Sequence, residues 1–163
     1  MSFLNLYLLL VISLILSKFY NGFYYFSFFI LNLPLIFYDI KKFGFFSVKG
    51  IIASFLLSAL YLPFLNFSVF PTNQVVQILA EEIFFRGYIQ NELLKIYNPF
   101  KSIVLSSILF MVAHLILNPS IFSGLTIFPS IIFGYLYFYS KSVISSFIFH
   151  LFSNWFFLSQ FSN

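Results

Sequence analysis

Cysteine is absent from the 163 residues, so the chain can build no disulfide framework, no thiol nucleophile and no cysteine-type zinc site. Charge is scarce as well: Asp, Glu, Lys and Arg make up 7% of the residues, only four of them acidic, against 61% hydrophobic. A chain of this size cannot hide so much apolar surface inside one soluble domain, so lipid must solvate most of it. Strict apolar/polar alternation is missing from stretches such as residues 51–70 and 102–117, which excludes a transmembrane barrel. The net charge of +4 sits in short loops beside apolar runs, where it suits anionic headgroups and topogenesis. No nucleic-acid partner is expected.

What is present is apolar length. The 28 Phe and 11 Tyr pack well against lipid and neighbouring helices, and by themselves name no activity. Apolar stretches at residues 3–17, 22–38, 50–70, 74–97, 102–117, 123–140 and 143–159 each approach the roughly 20 residues a helix needs to cross the hydrocarbon layer. The expected fold is therefore all-α, a polytopic transmembrane bundle of about seven spans. No basic residue precedes residues 3–17 and no small-x-small site follows, so a retained first span is expected rather than a removed signal peptide. Pro63 should kink the third span, and Pro71-Thr72-Asn73 supplies an N-cap for the fourth. Without repeats or linkers the chain reads as one integral domain, with residues 1–73 as amino-terminal transmembrane helices and 74–163 as the core. Lys41, Lys42, Lys49, Lys95, Lys101 and Lys141 fall in loops on one side and Lys18 on the other, which predicts an N-in, C-out orientation.

Charged groups within spans cost about 2.5–3.5 kcal/mol each on insertion scales, so those that persist at depth are functional candidates. The shortlist is Glu81, Glu82, Arg86, His114, His150 and Asn154. At about 100° per residue, Glu82 and Arg86 share a helix face while Glu81 points away, so Arg86 should pair with Glu82 and leave Glu81 free to face a cavity and hold a water. Taken alone, this helix also fits an interfacial amphipathic element with solvated Glu82–Arg86 and Glu92–Lys95 pairs. The last span adds His150 and Asn154 on one face at i and i+4. Counting about 1.5 Å per residue from the helix ends, Glu81, His114 and Asn154 fall within roughly 5–10 Å of one membrane surface, where a water-filled cavity is sustainable.

Glu81-Glu82-Ile83-Phe84-Phe85-Arg86-Gly87 resembles the EExxxR motif of the family of type II CAAX prenyl endopeptidases and bacteriocin-processing or immunity proteins. Phe110-Met111-Val112-Ala113-His114 is similar to its FxxxH motif, and His150-Leu151-Phe152-Ser153-Asn154 to its HxxxN motif. The resemblance covers residues 74–155. It departs before the last span, where the family often has Thr-Gly and this chain has Ser140-Lys141-Ser142.

The resemblance implies an intramembrane endopeptidase whose Glu81 and His114 activate a water, whose His150 and Asn154 stabilise the oxyanion, and whose Glu82 and Arg86 brace the helix. Its substrate would be a prenylated or otherwise hydrophobic membrane-associated peptide, its other partners membrane lipids, and its location the cell membrane. Oligomeric state is left open. Two His and one Glu are also a zinc ligand set, yet HExxH is absent, so a metal-free glutamate mechanism without cofactor is preferred to the zinc variant. The alternative function is a non-catalytic bacteriocin self-immunity or scaffold protein with the same fold.

Overall fold

The computed structural model describes residues 2–39 and 43–161, and every regular element among them is helical. Lys41 and Lys42 of the basic turn lie outside the described residues. In chain order the α-helices among the described residues are α1 (Phe3–Leu16), α2 (Gly22–Asn32), α3 (Pro34–Phe37), α4 (Val48–Ser58), α5 (Val75–Glu82), α6 (Asn91–Leu94), α7 (Pro99–Leu117), α8 (Ile121–Leu125), α9 (Ile127–Ser140) and α10 (Val143–Phe161).

Two helices, Pro99–Leu117 and Ile121–Ser140, are long and apolar enough to cross a membrane; a third is added if the bent pair Val48–Phe64 and Phe67–Leu94 is one span. The 19-residue α10 stays outside this group, because His150, Asn154 and Gln160 lower its hydropathy. Large apolar side chains nevertheless face outward over much of the molecule, among them Leu56, Leu60 and Ile121. Such an exterior belongs to a membrane protein.

Proline explains where the straight spans read from the sequence break. Pro34 has no N–H to give to the preceding turn, and the stretch 22–38 divides there into α2 and α3. After Ser58 the third stretch tightens into a 3₁₀ helix, Ala59–Phe64, with Pro63 inside it, and the chain then bends by 119° before the fourth. The expected cap at Thr72 or Asn73 is not used: Gln74 holds the N-cap position without a side-chain cap bond. Asn98 does cap α7, its Oδ1 accepting from Lys101 N at 3.0 Å, with Pro99 in the first turn.

The Ser140-Lys141-Ser142 turn has a definite shape. Lys141 adopts a left-handed conformation at φ 52, the place where glycine is usual. Opposite it Gly44, also left-handed at φ 58, approaches so closely that a Cβ would lie 1.8 Å from the Lys141 carbonyl oxygen. The backbone of Gly44 and Phe45 in turn accepts from Val143 N at 2.8 Å and Ile144 N at 3.3 Å. Those donors have no partner within α10, so residues 44–45 cap the last helix from outside.

Candidate active site

The fourth helical stretch carries the acidic motif and changes its winding within it: α5 ends at Glu82, and Ile83–Gln90 forms a π-helical segment whose eight residues are all buried. Such segments are rare and cluster at functional sites. Glu82 and Arg86 remain on one face, with Arg86 Nε 3.5 Å from Glu82 Oε2 and both side chains fully buried. That burial rules out the solvated amphipathic helix for this pair. The Glu92–Lys95 pair, by contrast, lies at the surface, with Lys95 exposed and Glu92 partly buried.

Arg86 is held at both ends of its fork. One terminal nitrogen donates to Ser106 Oγ at 3.0 Å and the other to Ser130 Oγ at 2.6 Å, while the guanidinium lies over the rings of Phe110 and Phe133. Ser106, on α7, passes a hydrogen bond on to the Phe85 carbonyl. The buried cation thereby ties three helices together. Glu82 reaches further than its pairing with Arg86: its Oε1 also accepts from His150 Nδ1 at 2.8 Å. The His150 ring is stacked on Phe133, 4.4 Å between centroids, and meets Phe110 edge-on.

Glu81 is not the unpartnered carboxylate expected from its angle. Its Oε1 accepts from Gln77 Nε2 at 2.9 Å, one helical turn earlier, and its Oε2 lies 3.9 Å from His150 Nε2. Glu81, Gln77, Phe85, Ala113 and His114 line a cavity of about 20 Å³, enough for one water. His114 Nδ1 sits 3.0 Å from the Phe110 carbonyl. A carbonyl only accepts, so Nδ1 carries the proton and, in the neutral ring, Nε2 is left as an acceptor.

On its other side His114 borders a cleft of about 710 Å³, which His150 and Asn154 also line, with Phe122, Phe128, Ile132 and Phe157 among its apolar walls. Asn154 Nδ2 donates to Gln74 Oε1 at 2.9 Å, which leaves one amide N–H uncommitted. Four of the six shortlisted residues, Glu81, His114, His150 and Asn154, line two adjoining spaces, one water-sized and one large enough for a hydrophobic chain, while Glu82 and Arg86 lie buried behind His150. His114 faces both.

The sequence reading passed over four residues of this arrangement: Gln74, Gln77, Ser106 and Ser130. Gln77 had a signal, its i,i+4 spacing from Glu81. The serines had none, since their partner is on another helix. Among the described residues no three His, Cys, Asp or Glu side chains are grouped so as to hold a metal ion; Nδ1 of His150 and of His114 already have partners.

Comparison with known families adds a match to the model of type II CAAX prenyl endopeptidase Rce1-like proteins, over residues 63–156. That span contains all six residues, and it also takes in Gln74 and Gln77. Neither the curated proteins nor the solved structures gave a match.

Proposed function

The chain belongs to the Rce1-like family of type II CAAX prenyl endopeptidases, at family level a CAAX-type intramembrane protease, and from that premise we propose that it hydrolyses a peptide bond of a hydrophobic or prenylated membrane substrate with a water held between Glu81 and His114. The observation that carries this reading is the position of His114 between the water-sized cavity and the large cleft.

A water in the small cavity has two hydrogens to give, and Glu81 Oε2 and His114 Nε2 are two acceptors. Its lone pair then points away from both, toward a carbonyl carbon lying in the cleft. As the C–O bond forms, Glu81 takes the water proton. The oxyanion accepts from the free N–H of Asn154 and from Nε2 of His150, a contact that requires the ring to carry a proton on that nitrogen. Collapse breaks the C–N bond, and Glu81 returns the proton to the leaving amine. Glu82 and Arg86 touch no substrate in this scheme and hold His150 and the helix in place. The aromatic walls of the cleft suit a prenyl or apolar peptide chain better than a polar one.

In this reading the chain is a multi-pass protein of the cell membrane with about seven crossing elements: α1, α2 with α3, α4 with its 3₁₀ extension, the bent helix through α6, α7, α8 with α9, and α10. Lipids are its other partners, and the reaction needs no metal.

The test compares protein termini by labelling and mass spectrometry in membranes holding wild type or Glu81→Gln at equal levels. New termini that appear with wild type, vanish in Glu81→Gln and persist in EDTA are expected. Identical termini in both membranes would overturn the enzymatic reading and favour a binding role, whereas cleavage lost in EDTA and restored by zinc would overturn the metal-free mechanism.

A further inference from the structure

Two glutamines lie on the turn that leads into the acidic motif, and each holds a different part of the site. Gln74 Oε1 accepts from Asn154 Nδ2 at 2.9 Å, and Gln77 Nε2 donates to Glu81 Oε1 at 2.9 Å. Gln74 borders the large cleft and Gln77 the water-sized cavity. We infer that Gln74 and Gln77 are positioning residues that fix the water-activating carboxylate and an oxyanion donor relative to each other. The inference rests on the proposed hydrolytic function and deepens it.

The chemistry of the two contacts is complementary. Glu81 can turn about its side-chain bonds, and a donor on Oε1 is what leaves Oε2 directed toward His150 and the water. Asn154 carries its carbonyl and amino groups at the same reach, and a cleft meant to hold an oxyanion needs the amino group inward. Gln74 presents an acceptor, which selects the Nδ2 side of Asn154 and uses one of its two N–H groups. The choice of glutamine at both places has a reason: it is neutral, so it adds no like charge beside Glu81, and it offers a donor at one end and an acceptor at the other. Because Gln74 is the N-cap residue of the helix that carries Gln77 three positions later, the spacing between water and oxyanion site is set by backbone geometry rather than by two independent loops. Reacting groups displaced by about 1 Å can lose on the order of 100-fold in rate.

The experiment uses full-length protein in liposomes and a cleavable substrate taken from the termini comparison, with Gln77→Met and Gln74→Met as variants. Methionine is similar in length and apolar, so it keeps the packing and removes only the hydrogen bond. The expected result is a kcat lowered on the order of 10- to 100-fold in each variant, with KM and melting temperature near wild type. Wild-type kcat in both variants would overturn the inference while leaving the hydrolytic function intact. Loss of kcat together with a large fall in melting temperature would also overturn it, since a structural role then accounts for the defect. No cleavage by wild type itself counts against the hydrolytic function, and this inference falls with it.

Discussion

At the scale of single residues the network around Arg86 is the costliest feature of the chain to build and the most sensitive to damage. A fully buried guanidinium needs a counter-charge and several acceptors, and Glu82, Ser106 and Ser130 supply them from three helices. Removing one partner of a buried ion pair leaves the other uncompensated, typically at about 3–5 kcal/mol. Arg86→Leu is therefore expected to lower the melting temperature sharply in detergent. Ser130→Ala, which deletes one hydrogen bond to a charged group, should cost about 1.5–3 kcal/mol. Fluorescence-detected size exclusion after heating checks both; an Arg86→Leu protein as stable as wild type would show that the network does not hold the helices. The Glu82–Arg86 pair was legible in the sequence because helix angles are local. The bond from Glu82 to His150 was not, for it joins residues 68 apart in the chain. Gln77 lies between these cases: its i,i+4 spacing from Glu81 is readable, but a neutral amide in an apolar helix carries no charge to single it out.

At the scale of elements, close helix contact replaces the hydrophobic effect, which is weak between helices already in lipid. α4 carries Gly50, Ser54 and Ser58 at successive i,i+4 positions, all buried. Ser54 Oγ donates to the Ser145 carbonyl of α10 at 2.6 Å, and a Cβ on Gly50 would lie 2.2 Å from Ser145 Oγ and 2.3 Å from Ser140 Cβ. The small stripe is thus what lets α4 lie against the helix that bears His150 and Asn154. Gly50→Ala should push α4 away and destabilise the protein by about 1–3 kcal/mol. Gly124→Ala, with nothing within 4 Å of the new Cβ, should be neutral or slightly stabilising. Equal melting temperatures for the two variants would contradict the packing argument. The stripe is visible in the sequence, but its partner is not. Helix ends were harder still to read: Pro63 marked one break, the break at Pro34 was not expected from the sequence, and at the 119° bend Trp155 Nε1 donates to the Asn66 carbonyl and Ser159 Oγ accepts from Asn66 N.

At the scale of the whole molecule, charge and chemistry are separated along the helix axes. Lys49, Lys95 and Lys141 gather at one end, where Lys49 Nζ lies 5.1 Å from the ring centre of Tyr139, close in sequence to Lys141, and Lys95 lies over Tyr38. α7 begins beside this end with Lys101 and carries His114 about 20 Å further along. The cleft reaches Asn118, Ser120 and Phe161 at the opposite end, and Lys18 follows α1 just beyond Leu14, which borders the water-sized cavity. Basic loops stay on the cytoplasmic side, so the cleft should open toward the outer face. Since the chain has no cysteine, single cysteines report accessibility without background. Asn118→Cys is expected to react with a membrane-impermeant maleimide on intact cells, and Lys49→Cys only after the cells are permeabilised. Labelling of Lys49→Cys on intact cells, with Asn118→Cys protected, would invert the orientation and require substrates to reach the cleft from the cytoplasm.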